Sequence, residues 1–147
     1  MNNSLAAKSI FSGYASAQAV TTGTTETVEI DTVEVQVGGT WNSTNWRWTP
    51  ALAGFYLVTG HAGVGSAGDL VAVRIELQKN GTVISRTEIK ASAEGTTSNV
   101  ILSGQRIIFM NGTTDYITLN VFHQHGSDLN TIAGPNGNSL NVVFLGQ

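Results

Sequence analysis

The chain has 147 residues, 41% of them hydrophobic and only 12% charged, and its 7 Lys and Arg against 10 Asp and Glu leave a net charge of −3. That length suits one domain with a core large enough to fold without a disulfide or a metal, and the lack of cysteine excludes a disulfide framework, a thiolate nucleophile and a thiolate metal site. With no basic excess a nucleic-acid footprint is not expected, and no apolar run approaches the roughly 18 residues of a membrane-spanning helix.

Residues 1–9 lie outside any regular pattern and lack the basic-then-apolar order of a secretory signal. They read as an arm, rather than a flexible tail, that docks on a neighbouring chain or on the larger assembly that carries it, with Asn3, Leu5 and Lys8 as its contact residues. From residue 10 onward the periodicity is that of β-strands. Val28 and Ile30 occupy even positions whereas Val33, Val35 and Val37 occupy odd ones, so the phase slips at Asp31-Thr32 and predicts a bulge or a strand break. Trp41, Trp46 and Trp48 fall within eight positions, with Tyr56 shortly after them. Trp46 and Trp48 are placed on one strand face. These aromatics, together with Phe122, are expected to anchor the core or a subunit interface rather than form a sugar-stacking platform.

Turn signals follow at Pro50 through Gly54 and at Gly65-Ser66-Ala67-Gly68. Val71, Val73, Ile75 and Leu77 alternate with Ala72, Arg74, Glu76 and Gln78, which gives a strand with one dry and one wet face. Asn80-Gly81 supplies the positive φ angles of a tight hairpin, and Asn111-Gly112 predicts a second, longer one. Ile117-Leu119-Val121 and Leu140-Val142-Phe144 mark two further strands. The expected core comprises Trp48, Phe55, Leu57, Val73, Ile75, Leu119, Val121, Val142 and Phe144. No window sustains a 3.6-residue period. The chain is therefore expected to be all-β over residues 10–147, an antiparallel sandwich or jelly roll of about 8–10 strands.

The search for chemistry returns little. There is no Gly-x-Ser-x-Gly elbow, and the paired glycines precede no helix that would hold a phosphate. Glu26, Glu29 and Glu34 fall in strand-like sequence as a solvated face. No catalytic residue, no cofactor and no enzymatic activity are expected. His123-Gln124-His125 is the sharpest candidate site, because on a strand both imidazoles project to one face and on a three-fold axis six would converge on a metal. The structural reading is preferred: the apolar run ends at the sheet rim and the two histidines continue, solvated, into a polar loop. His61 reads as an ordinary strand-end residue.

The order of motifs resembles the TNF-like jelly rolls, which include the globular heads of the first complement component. The resemblance rests on Trp41, then Trp46-Arg47-Trp48-Thr49-Pro50, then Ala53-Gly54-Phe55-Tyr56-Leu57. It continues with Leu77-Gln78-Lys79-Asn80-Gly81, with Val100 through Ile107 (Gln105 standing where the family has Asp), with Asp115 through Leu119, and with the final Ser139–Leu145 strand. Phe11 through Ala17 resembles the opening strand. The resemblance implies a compact homotrimer with both termini near one end. No collagen stalk and no acidic loop matching a calcium site are found, so no calcium ligand is carried over.

A bare module rich in Thr, Asn and Gly looks most like the versions of this fold in tailed bacteriophages. The expected function is a virion structural protein, a trimeric decoration (cement) protein bound to the major capsid protein, made in the host cytoplasm and displayed on the virion surface. A chain that starts at its own Met without a shaft favours this over the alternative, a receptor-binding tail-fibre tip. The alternative would use loops Gly65–Asp69, Ala91–Thr97 and Gly126–Asn138 to contact a host glycan or protein.

Overall fold

A computed structural model describes residues 8–68, 71–90 and 98–147. Thirteen strands run through them: β1 (Ile10–Tyr14), β2 (Ala19–Val20), β3 (Glu26–Thr27), β4 (Thr32–Val37), β5 (Gly39–Asn42), β6 (Arg47–Pro50), β7 (Ala53–Ala67), β8 (Ala72–Lys79), β9 (Thr82–Lys90), β10 (Ser98–Asn111), β11 (Ile117–His123), β12 (Leu129–Asn130) and β13 (Ser139–Gly146). β2, β3 and β12 are two residues long, which leaves ten of ordinary length. No helix occurs among the described residues.

Two antiparallel sheets form the sandwich, one in the order β10-β7-β13-β1-β4 and the other in the order β5-β6-β11-β8-β9, with β3 on the free flank of β11. Alternate side chains of each sheet meet in a shared core of Phe11, Ile30, Trp48, Tyr56, Ile75, Leu77, Leu119 and Leu140. Close approach between the sheets depends on Gly60, where an added Cβ would lie 2.9 Å from Leu77 and 3.1 Å from Leu119. The terminal strands β1 and β13 are neighbours, and the Phe144 N–H donates to the Ser9 carbonyl at 2.9 Å, so the two ends of the described chain lie together.

Asn80 and Gly81 sit at φ 52° and 77° and join β8 to β9 as a tight hairpin, as the dipeptide requires. The phase slip before Thr32 is a strand break. Val28 is still hydrogen-bonded to Leu119 of one sheet, and four residues on β4 pairs with β1 of the other. Asn111-Gly112, by contrast, is not a hairpin. β10 belongs to one sheet and β11 to the other, so the segment carries the chain across the sandwich. Its turn is local: the Asn111 side chain accepts the N–H groups of Thr113, Thr114 and Asp115.

Two further expectations are corrected. Trp46 does not share a strand face with Trp48; it lies in the β5–β6 turn at φ 51°, half-buried. Phe55 and Leu57 are not core residues. On β7 the inward positions are Gly54, Tyr56, Val58 and Gly60, so Phe55 and Leu57 point outward, and Phe55 is 49% exposed. Phe144 points inward but remains half-buried. The arm residues Asn3 and Leu5 and the loop Ala91–Thr97 lie outside the described residues, as does Asp69 at the end of the Gly65–Asp69 loop.

Candidate interaction surface

Strand pairing fixes which side chains stand side by side on the outer face of the five-stranded sheet. Val37 on β4 is opposite Ile10 on β1, Ile10 is opposite Val143 on β13, Val143 is opposite Leu57 on β7, and Leu57 is opposite Ile107 on β10. One apolar residue from every strand thus forms an unbroken row. Phe55 and Phe109 are also paired, their rings edge to face at 5.6 Å, and Leu145 adds to the same end. Ile107 is 59% exposed, Leu145 52% and Phe109 50%, so the belt is open to solvent in the single chain. A contiguous open apolar belt of this kind is uncommon on a monomer and marks a contact surface.

Polarity rises along the strands away from the belt. The next row reads Val35, Ser12, Asn141, Thr59 and Gln105. The one beyond it holds Tyr14, Ser139, His61 and Ser103. His61 Nε2 lies 2.7 Å from the Pro135 carbonyl, which can only accept, so this nitrogen carries the proton and Nδ1 accepts from the Ser139 hydroxyl at 3.2 Å. That half-buried histidine is structural.

None of the expected anchors Trp41, Trp46, Trp48, Tyr56 and Phe122 is part of this belt. Trp48 and Tyr56 are fully buried, ring centroids 5.7 Å apart and edge to face. Tyr56 donates to the Leu52 carbonyl at 2.8 Å; burial pushes its phenol above the ordinary 10.0, with the Ser9 hydroxyl partly opposing. Trp41 is half-buried and stacks on Phe11 at 4.6 Å. Phe122 lies on the outer side of the six-stranded sheet, covered by the Arg74 guanidinium at 4.0 Å. Lys8 is exposed, while Ser9 is fully buried with its hydroxyl donating to the Gly38 carbonyl at 2.6 Å.

The histidine pair departs from the expected rim position. His123 is the last residue of β11 and is fully buried. Its Nε2 donates to the Val20 carbonyl at 2.9 Å, and its Nδ1 accepts the His125 N–H at 3.2 Å. These partners fix the neutral tautomer and occupy both ring nitrogens. His125 lies beyond the strand, half-buried, with Nδ1 3.1 Å from the Ser127 hydroxyl. The two rings therefore do not form a pair on one strand face. Among the described residues no group of three or more His, Cys, Asp or Glu is placed to hold a metal.

Sequence reasoning missed Ile10, Ile107, Phe109 and Val143. The signal was present in the continuous runs Phe55-Tyr56-Leu57-Val58 and Val142-Val143-Phe144-Leu145, apolar on both parities, which marks a strand covered on both faces.

This geometry defines an antiparallel jelly-roll sandwich with one apolar outer face. No protein-family model and no curated protein matches the sequence. Solved structures do match the fold. Eiger TNF from S. frugiperda superposes with a TM-score of 0.73 over 95% of this chain and 94% of that one, at 11% identity. Murine APRIL gives 0.66 over 94% and 99%, and the globular domain of zebrafish complement 1qA protein gives 0.64 over 94% and 98%, each also at 11% identity. The chain is a TNF-like jelly roll.

Proposed function

We propose that the protein is a structural component of a bacteriophage virion, a homotrimer that decorates the capsid surface through the major capsid protein and carries out no catalysis. The observation that carries self-association is the row Val37-Ile10-Val143-Leu57-Ile107 with its Phe55–Phe109 flank. Burying such a row against copies of the same chain removes apolar surface from water without a separate partner. The three-fold number rests on the resemblance of the motifs to the TNF-like jelly rolls, and the capsid location on the likeness of a bare module rich in Thr, Asn and Gly to the phage versions of that fold. The sparse charge suits a surface that packs against a lattice of neighbours. Manufacture in the host cytoplasm and display on the virion surface follow from the same reading.

Two measurements test it. Light scattering at micromolar concentration is expected to give three times 15.5 kDa; a monomer overturns the trimer. Electron microscopy of particles carrying the protein is expected to place its density on the capsid lattice. Density at the tail end would replace this reading with the receptor-binding tip.

A further inference from the structure

The outer face of the six-stranded sheet carries a depression of about 310 Å³, near the lower end of the size range of small-molecule sites. It exists because β11 changes neighbours along one flank. β6 pairs with it only at Ile117, and β3 only at Asn120 and Val121. Between these contacts the β5–β6 turn and β3 stand as two walls, and Thr118 and Asn120 form the floor.

Asn120 is the residue that asks for a ligand. It is only 7% exposed, yet among the described residues its Oδ1 has no hydrogen-bond partner, and its Nδ2 reaches only the Thr27 hydroxyl at 3.4 Å. Turning the amide over would exchange which atom lacks a partner, not remove the vacancy. A buried polar atom left unpaired loses the hydrogen bonds it makes to water in the unfolded chain, a loss that a bound group able to pair with it would recover. Gln78 commits its amide N–H to Glu76 at 2.7 Å and keeps its carbonyl oxygen as an acceptor. Arg47 lies with its guanidinium 4.6 Å from the centroid of the Tyr116 ring and forms no ion pair among the described residues. Tyr116 is itself held at its backbone, donating to the Asn80 side chain at 2.9 Å and accepting the Asn80 N–H at 3.0 Å. Among the described residues no carboxylate lines the depression.

We infer that this depression binds one residue of a saccharide. A hydroxyl both donates and accepts, so it satisfies Asn120 in either amide orientation. A sugar ring offers several hydroxyls at once to the Thr27, Gln78 and Thr118 groups around it. The absence of a carboxylate from the lining disfavours a cationic ligand, and Arg47 at the wall would add affinity for a sugar acid. The site stands on the face opposite the apolar belt and shares no residue with it, so its failure would leave the proposed assembly untouched.

The test is a titration of the nitrogen-15-labelled protein with the methyl glycosides of glucose, galactose, N-acetylglucosamine and glucuronic acid, each to about 50 mM, well above a millimolar Kd. At least one is expected to shift the Asn120 side-chain amide together with the backbone signals of Thr27, Gln78 and Thr118. Asn120→Ala is expected to weaken that binding at least about tenfold. Should that variant not fold, Arg47→Gln at the start of β6 is expected to weaken the glucuronide selectively. Absence of any shift, shifts confined to another part of the molecule, or binding unchanged in the variant that folds would each overturn the inference.

Discussion

The outer face of the six-stranded sheet answers its own charges. Glu76 is only 4% exposed and takes Arg86 at 2.7 Å and Arg74 at 3.1 Å; Arg74 also covers Phe122 and reaches Glu88 at 3.6 Å. The outer face of the five-stranded sheet has nothing comparable along its belt, where Val37, Val143 and Ile107 stand open and Ile10 and Leu57 are half-buried between them. Both sheets alternate with the same period of two, and both bury their inner residues in one core. What separates them is the second parity of each strand: charged and mutually satisfied on β8 and β9, apolar and unanswered on β7, β10 and β13. A face of the first kind is complete in water, whereas one of the second kind is complete only when covered.

The sharpest way to break this contrast is to put a charge in the middle of the belt. Leu57→Asp would set a carboxylate between Val143 and Ile107 with no cation in its row. If copies of the chain cover the belt, each contact then buries an unpaired charge, a cost of about 3 kcal/mol or more. Light scattering should show the trimer replaced by monomer, and sedimentation should show a dissociation constant raised more than about a hundredfold. Glu88→Gln, a charge change on the other face, should leave the mass unchanged. A trimer surviving Leu57→Asp would move the contact off this face.

Why this face was missed in the sequence is a matter of parity. Alternation identifies two sides of a strand but names the buried one only where the other side is polar, as in Val73-Arg74-Ile75-Glu76-Leu77, which was read correctly. In Phe55-Tyr56-Leu57-Val58 both sides are apolar, so alternation alone does not decide between Phe55 with Leu57 and Tyr56 with Val58 as the inward pair. The deciding cue was Gly60, a small residue at an inward position where the sheets approach. Asn80-Gly81 was legible because its φ angles are a property of the dipeptide itself. Asn111-Gly112 carries the same local signal, but whether the next strand returns to the same sheet is a long-range matter that no dipeptide encodes. The depression on β11 was likewise invisible, since it arises from where β6 stops and β3 begins.

The charged face can be broken from within. Glu76→Gln removes the one carboxylate that holds both Arg74 and Arg86, and leaves the less exposed Arg74 over an aromatic ring with only the more exposed Glu88, at 3.6 Å, as its anion. Because Arg86 is half exposed, the loss should be less than the 3–5 kcal/mol of a fully buried pair, about 2 kcal/mol in urea unfolding. Oligomer mass should not change, since the belt is on the opposite side. A loss of mass would show that the two faces are coupled.

A smaller and pH-dependent effect sits where the chain crosses between the sheets. Burial alone would raise the Asp115 carboxyl. The Lys79 ammonium at 2.8 Å, the Asn80 amide at 2.7 Å and the Asn111 N–H at 2.9 Å outweigh that and hold it below the ordinary 3.8. A carboxyl lowered in the folded state contributes stability that is fully present above the unfolded value and is lost as pH falls through the folded one. Asp115→Asn should therefore be less stable than the parent at neutral pH, with the gap closing as pH drops below 3.8. A gap constant across that range would mean that Asp115 acts through packing rather than charge.

The smallest effect tests where the covered part of the five-stranded face ends. Thr59 stands one row from the belt, between Asn141 and Gln105. Thr59→Val keeps the shape of the side chain and removes only its hydroxyl. If solvent still reaches this row in the assembly, stability and dissociation constant should both stay within about 0.5 kcal/mol of the parent. If a neighbouring copy covers it, the hydroxyl has partners across the contact, and its loss should cost about 1 kcal/mol per contact in dissociation while thermal unfolding of a monomeric Leu57→Asp background stays unmoved. The paired measurement thus draws the boundary of the interface at the step from Leu57 to Thr59, where the face changes from apolar to polar.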